Sequence, residues 1–105
     1  MILQALGRRP NIGSLNLEAA GVEIQKGKVV VDNTMRTNQP HIFAVGDVNG
    51  LHEIVHIAIE QGEIAGWNAM HPTDTQHCYD DRLKTQVVFT DPQVASVGLS
   101  EKECR

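Results

Sequence analysis

Two short stretches carry residue types at spacings that could do chemistry. The first is His52-Glu53-Ile54-Val55-His56, a literal H-E-x-x-H. On one helix, histidines at i and i+4 share a face and can bind zinc, with the glutamate as general base. That arrangement would make a small metallohydrolase. A catalytic zinc needs a third protein ligand; Glu60, His71 and His77 are the candidates, and none stands at a zincin spacing. His52 also falls in the loop ahead of the expected helix, which spoils the geometry. The second stretch runs from Thr37 to Asp47. A buried-strand pattern, His41-Ile42-Phe43-Ala44-Val45, ends in Gly46-Asp47 and is followed by a loop and a helix. Ligands of α/β folds bind at the carboxyl ends of strands. Gly46 would let backbone approach a ligand closely, and Asp47 can accept a hydrogen bond from a sugar-alcohol hydroxyl. The helix that follows aims its first N–H groups, and the positive end of its dipole, at the same place. The alternative is a Gly-Asp turn that only caps a strand.

These residues need elements to hold them. Ile54, Val55, Ala58, Ile59, Gly62, Ala65 and Ala69 recur at helical spacing, predicting a helix over about 54–70 that His71-Pro72 ends. Small residues at 58, 62, 65 and 66 would let it pack close to a sheet. Upstream, a strand over 2–6 stops at Gly7, and Gly7-Arg8-Arg9-Pro10-Asn11 is a loop. A turn or helical patch over 15–20 precedes strands at 22–25 and 28–32, joined at Lys26-Gly27 as a hairpin. Residues 33–40 read as a polar connector and 73–84 as a polar linker, the best candidate for a domain boundary. Strands follow at 85–90 and 94–98, and Ser100 with Glu103 makes a capping box that opens a further helix. The abrupt first strand and the helix signal close to Arg105 suggest an internal segment of a longer chain.

Composition narrows the classes. The 105 residues carry a formal net charge of -4 and are 41% hydrophobic, an ordinary globular balance. A weakly acidic chain is a poor match for nucleic acid or an anionic membrane. No apolar run approaches the roughly 20 residues of a membrane span. Cys78 and Cys104 fit no C-x-x-C or C-x-x-x-x-C pair and are expected as free thiols.

Thr37-x-x-Pro-x-Ile-Phe-Ala-Val-Gly-Asp47 resembles the second flavin-contacting motif of the pyridine nucleotide–disulfide oxidoreductases, the family of dihydrolipoamide dehydrogenase, glutathione reductase and mercuric reductase. Three further stretches match in order. Ala5 to Asn11 resembles the loop leaving the family's nicotinamide domain. Ala20-Gly21-Val22 with Gly27 and Val31-Asp32 resembles the return to the flavin domain. Phe89 to Glu101 resembles the entry to the dimerisation domain, with Phe89-Thr90-Asp91-Pro92-Gln93-Val94-Ala95 leaning toward the mercuric reductase and dihydrolipoamide dehydrogenase branch.

The resemblance implies an α/β flavoprotein. Residues 1–11 would end the NAD(P) domain, 12–72 form the C-terminal part of the FAD domain, 73–84 link, and 85–105 begin the α+β dimerisation domain. It implies FAD and NAD(P) as cofactors, with Asp47 on the ribityl chain and Gly46 permitting close approach. Ile54, Val55 and His56 would lie where the helix begins beneath the isoalloxazine ring, His56 in a structural role. It implies a cytoplasmic homodimer joined through the C-terminal domain and docking on a 2-oxo acid dehydrogenase complex. The chain has no G-x-G-x-x-G, no redox C-x-x-x-x-C and no C-terminal His-Glu pair, so it holds none of the family's catalytic residues and is expected to be inactive alone. A non-catalytic binding module that copies part of such a reductase is the remaining alternative.

Overall fold

The computed structural model describes Met1 to Arg105. Its centre is one α-helix, α1 (Val55–Met70), flanked by two antiparallel hairpins. The first pairs β1 (Ile24–Gln25) with β2 (Lys28–Val29), register Ile24↔Val29. Lys26 and Gly27 both have positive φ, 50° and 76°, the turn geometry whose twist matches a two-residue hairpin. The second pairs β3 (Thr85–Val88) with β4 (Val94–Val97), register Thr85↔Val97. The chain therefore mixes helix and strand, and both of its ladders are antiparallel.

α1 begins and ends within a residue of the predicted span. Its buried face matches the predicted one only in part, since Ala65 is buried and Ala58 lies close to Gly46. Ile57, Gln61, Ile64, Ala65 and Asn68 are buried, whereas Val55 and Ile59 are largely exposed. A Cβ added at Gly62 or Gly66 would meet nothing within 4 Å, so these glycines do not serve close packing here. The core joins Met35, Ile57, Ile64, Ala65 and Tyr79, with Val31, Phe43, Val45 and Ile54 packed against it.

Several expected elements do not form as read. Residues 2–6 are not a strand: Ile2, Leu3 and Leu6 are fully exposed and pair with nothing, and an extended run without a neighbour has no ladder. The pattern at 41–45 is reduced to one bridge, Arg36↔Phe43, for the same reason. Around it Thr37 N donates to Ile42 O (2.9 Å) and Ala44 N to Met35 O (3.1 Å). The Arg36 guanidinium lies over the Phe43 ring, 5.3 Å from its centroid. The predicted polar connector thus carries fully buried Met35 and buried Thr37. The capping box at Ser100 is made, with Ser100 N donating to Glu103 Oε2 (2.8 Å), but it closes a single turn rather than a helix. No helix is long and apolar enough to cross a membrane.

Candidate functional site

The site is built where the chain leaves Val45. Gly46–Val48 forms one 3-10 turn packed on the first half of α1. Gly46 is buried, has φ 71°, and a Cβ there would come 3.1 Å from the Ala58 Cβ. Glycine is required on both counts, the left-handed backbone and the helix so close. Gln61 locks the turn from below. Its Oε1 accepts from Gly46 N (2.7 Å) and from Asn49 Nδ2 (2.9 Å), and Asn49 Oδ1 accepts from Leu51 N (3.0 Å). Gln61 is wholly buried, and its Nε2 has no partner.

Asp47 stands on this turn, its side chain about a third exposed, with Oδ2 paired to the Arg8 guanidinium. Oδ1 makes no hydrogen bond within the chain, so the carboxylate can still accept from a hydroxyl. The start of α1 is open as well. No side chain caps it, and Ala58 N is the residue that bonds back to Ile54 O (3.0 Å). The N–H groups of Val55, His56 and Ile57 are left for another partner. Ile54 is half-buried against the core, and Val55 is exposed. A tight glycine turn, a carboxylate with acceptor capacity and an uncapped helix start could together hold a hydroxyl-bearing chain beside a group that carries negative charge.

The His56 side chain is engaged by Thr85. Its Nε2 lies 2.9 Å from Thr85 O and 2.6 Å from Thr85 Oγ. His52 precedes α1 and pairs with Asp81. The two histidines therefore do not share a helical face, and no group of three His, Cys, Asp or Glu gathers to hold a metal. The zinc reading has no geometric support.

Nothing in the sequence marked Arg8, in the loop after Gly7, as the partner of Asp47. The sequence reading also missed Gln61 and Asn68. Asn68 accepts from His77 N (2.8 Å) and donates to Thr34 O and His77 O, pinning the two chain segments on either side of α1. Both lie at i, i+7 on the buried face, and polar residues in phase with Ile57 and Ile64 were the available signal. Trp67 is stacked by His71 (3.9 Å) and His77 (4.8 Å). Cys78 and Cys104 are exposed free thiols.

The family model described as pyridine nucleotide-disulphide oxidoreductase matches residues 1–62. Dihydrolipoyl dehydrogenase of Buchnera aphidicola is 40% identical over 105 residues, covering 99% of this chain and 22% of that protein. The Mycobacterium tuberculosis dihydrolipoyl dehydrogenase is 41% identical with the same coverage. Among solved structures, LpdA from Mycobacterium tuberculosis superposes with a TM-score of 0.79 at 33% identity, over 90% of this chain and 20% of that one. The HOCl-induced flavoprotein disulfide reductase RclA from Escherichia coli gives 0.78 at 29%, over 95% and 23%. The chain spans about a fifth of the length of the relatives it matches.

Proposed function

This chain belongs to the pyridine nucleotide–disulphide oxidoreductase family, and from that premise we propose that it supplies part of the flavin floor of a dihydrolipoamide dehydrogenase-like enzyme. Members of the family use FAD and NAD(P). The observation that carries the reading is the Gly46–Val48 turn locked against an uncapped helix start. Asp47 would accept hydrogen bonds from the ribityl hydroxyls through its open oxygen, and Gly46 keeps the approach free of a side chain. The N–H groups at Val55, His56 and Ile57 would face the flavin edge where negative charge gathers on reduction, with Ile54 just ahead of them, and a helix N-terminus favours that charge. When bound, the flavin would pass electrons between NAD(P)H and a disulfide or dithiol.

In this reading residues 1–11 close a nicotinamide domain, 12–72 belong to the FAD domain, 73–84 link, and 85–105 open a dimerisation domain. The whole enzyme would be a cytoplasmic homodimer serving a 2-oxo acid dehydrogenase complex. The chain alone would be inactive, since no redox cysteine pair, pyrophosphate loop or His-Glu acid–base pair lies in it. The test is to purify the full-length protein that carries this segment. Stoichiometric yellow flavin, reduced by NADH or NADPH and reoxidised by lipoamide, is the expected result. A colourless protein with no such turnover contradicts the proposal.

A further inference from the structure

The two histidines of the H-E-x-x-H stretch reach one and the same segment. His52, ahead of α1, pairs through Nε2 with Asp81, at the start of the 3-10 turn Asp81–Leu83. His56, in the first turn of α1, meets the backbone and side chain of Thr85, where β3 begins. Thr85 O can only accept, so the 2.9 Å contact requires a proton on His56 Nε2. That N–H is shared with Thr85 Oγ at 2.6 Å. Nε2 is therefore a donor, not a free lone pair.

Beside these two ties, the Asp81 carboxylate lies near the Tyr79 phenol, and the chain itself runs on through Asp80. The strands themselves do not anchor the second hairpin, since β3 is exposed beyond its first residue and β4 throughout. Within 81–105 the parts are well connected: Gly98 N donates to Lys84 O (2.8 Å), and Lys84 Nζ pairs with Glu103 (3.2 Å). A small unit of hairpin and terminal turn is thus tied to the first turn of α1 by His56 and to the segment just ahead of it by His52.

We propose that His56, with His52 just ahead of the helix, is a positioning residue that yokes the segment from Asp81 through the second hairpin to the start of α1, so that displacement of the hairpin displaces the helix end. This rests on the reading of that helix end as the flavin floor. His56 carries the larger share, because it bonds the helix turn itself to main chain that no side-chain change removes.

The experiment uses the full-length protein. His56→Ala should speed amide exchange through residues 85–97 by about fivefold, the loss of one net hydrogen bond, and shift the flavin midpoint potential to more negative values. His56→Gln, whose amide N–H can reach the same carbonyl, should restore both. Asp81→Asn should give a smaller change in exchange. Wild-type exchange and potential in His56→Ala, or no recovery in folded His56→Gln, overturns the proposal. If His56→Ala fails to fold, His56→Gln and Asp81→Asn carry the comparison. If the wild-type protein holds no flavin, the flavin reading fails, and exchange in the hairpin still decides whether the yoke exists.

Discussion

At the residue scale the site depends on what lies beneath it. Gln61 holds Gly46 and Asn49 from inside the core. Gln61→Leu keeps the bulk and strands two donors, so it should cost about 1–3 kcal/mol of stability. Urea unfolding measures this, and a cost below about 0.5 kcal/mol would show that the turn does not rely on Gln61. Tyr79 gives a pH signature. Burial, then the nearby carboxylates of Asp81 and Glu60, pushes its phenol from 10.0 to about 12. The unfolded chain ionises first, so the stability this group contributes is full below about pH 10 and is lost as pH climbs through about 12. The loss is on the order of 2 kcal/mol. Tyr79 is the one tyrosine in the chain, and its tyrosinate absorbance should rise near pH 12; a rise near pH 10 would contradict its burial. Gly46 and Asp47 were legible in the sequence because a glycine and a carboxylate ending a buried-strand pattern carry their chemistry with them. Gln61 was not, because a buried amide looks the same as a solvated one until its partners, 15 and 12 residues away, are known.

At the element scale α1 was legible in extent and only partly in orientation. Propensity and the Pro72 stop set its ends, but two apolar stripes compete for the interior. The one through Ile57 and Ile64 is buried, and the one through Val55 and Ile59 is left outside. Small residues at 58, 62, 65 and 66 pointed to close packing, and of these Ala58 and Ala65 do pack. Gly66 lies in open space, with nothing within 4 Å of where an added methyl would sit. Gly66→Ala should therefore stabilise the 105-residue chain by about 1 kcal/mol through helix propensity. A thermal melt that falls instead of rising would mean that this face is covered. The strands at 2–6 and 41–45 failed for a complementary reason. A strand is specified by its neighbour as much as by its own residues, and these segments find no full ladder in the chain.

At the scale of the whole molecule the surface is large. The accessible area is 8161 Å², against roughly 5,800 Å² for a compact monomer of this mass. The radius of gyration is 16.0 Å, against about 13 Å for a compact domain of this length. Phe89, Val94, Val97 and Leu99 on the second hairpin, and Val55, Ile59 and Met70 on α1, are exposed together. Apolar surface of this extent associates. The chain expressed alone should elute as oligomers in light-scattering chromatography and unfold with low cooperativity; a monodisperse monomer with a sharp transition would contradict this. Family membership needed no such surface to be seen, because four ordered motifs carry it. How the hairpin hangs from α1 could not be read, since each tie joins residues 29 apart whose types suggested a metal site instead.

In the proposed function Asp47 would hold the ribityl chain of a flavin beside the start of α1. The direct measurement is flavin retention, by visible absorbance after gel filtration, in full-length wild type, Asp47→Ala and Arg8→Ala. Asp47→Ala should lose most of its flavin while remaining folded, and Arg8→Ala should keep it, because the oxygen that accepts from the ribityl chain is the one Arg8 does not engage. Full retention in a folded Asp47→Ala protein would contradict the account.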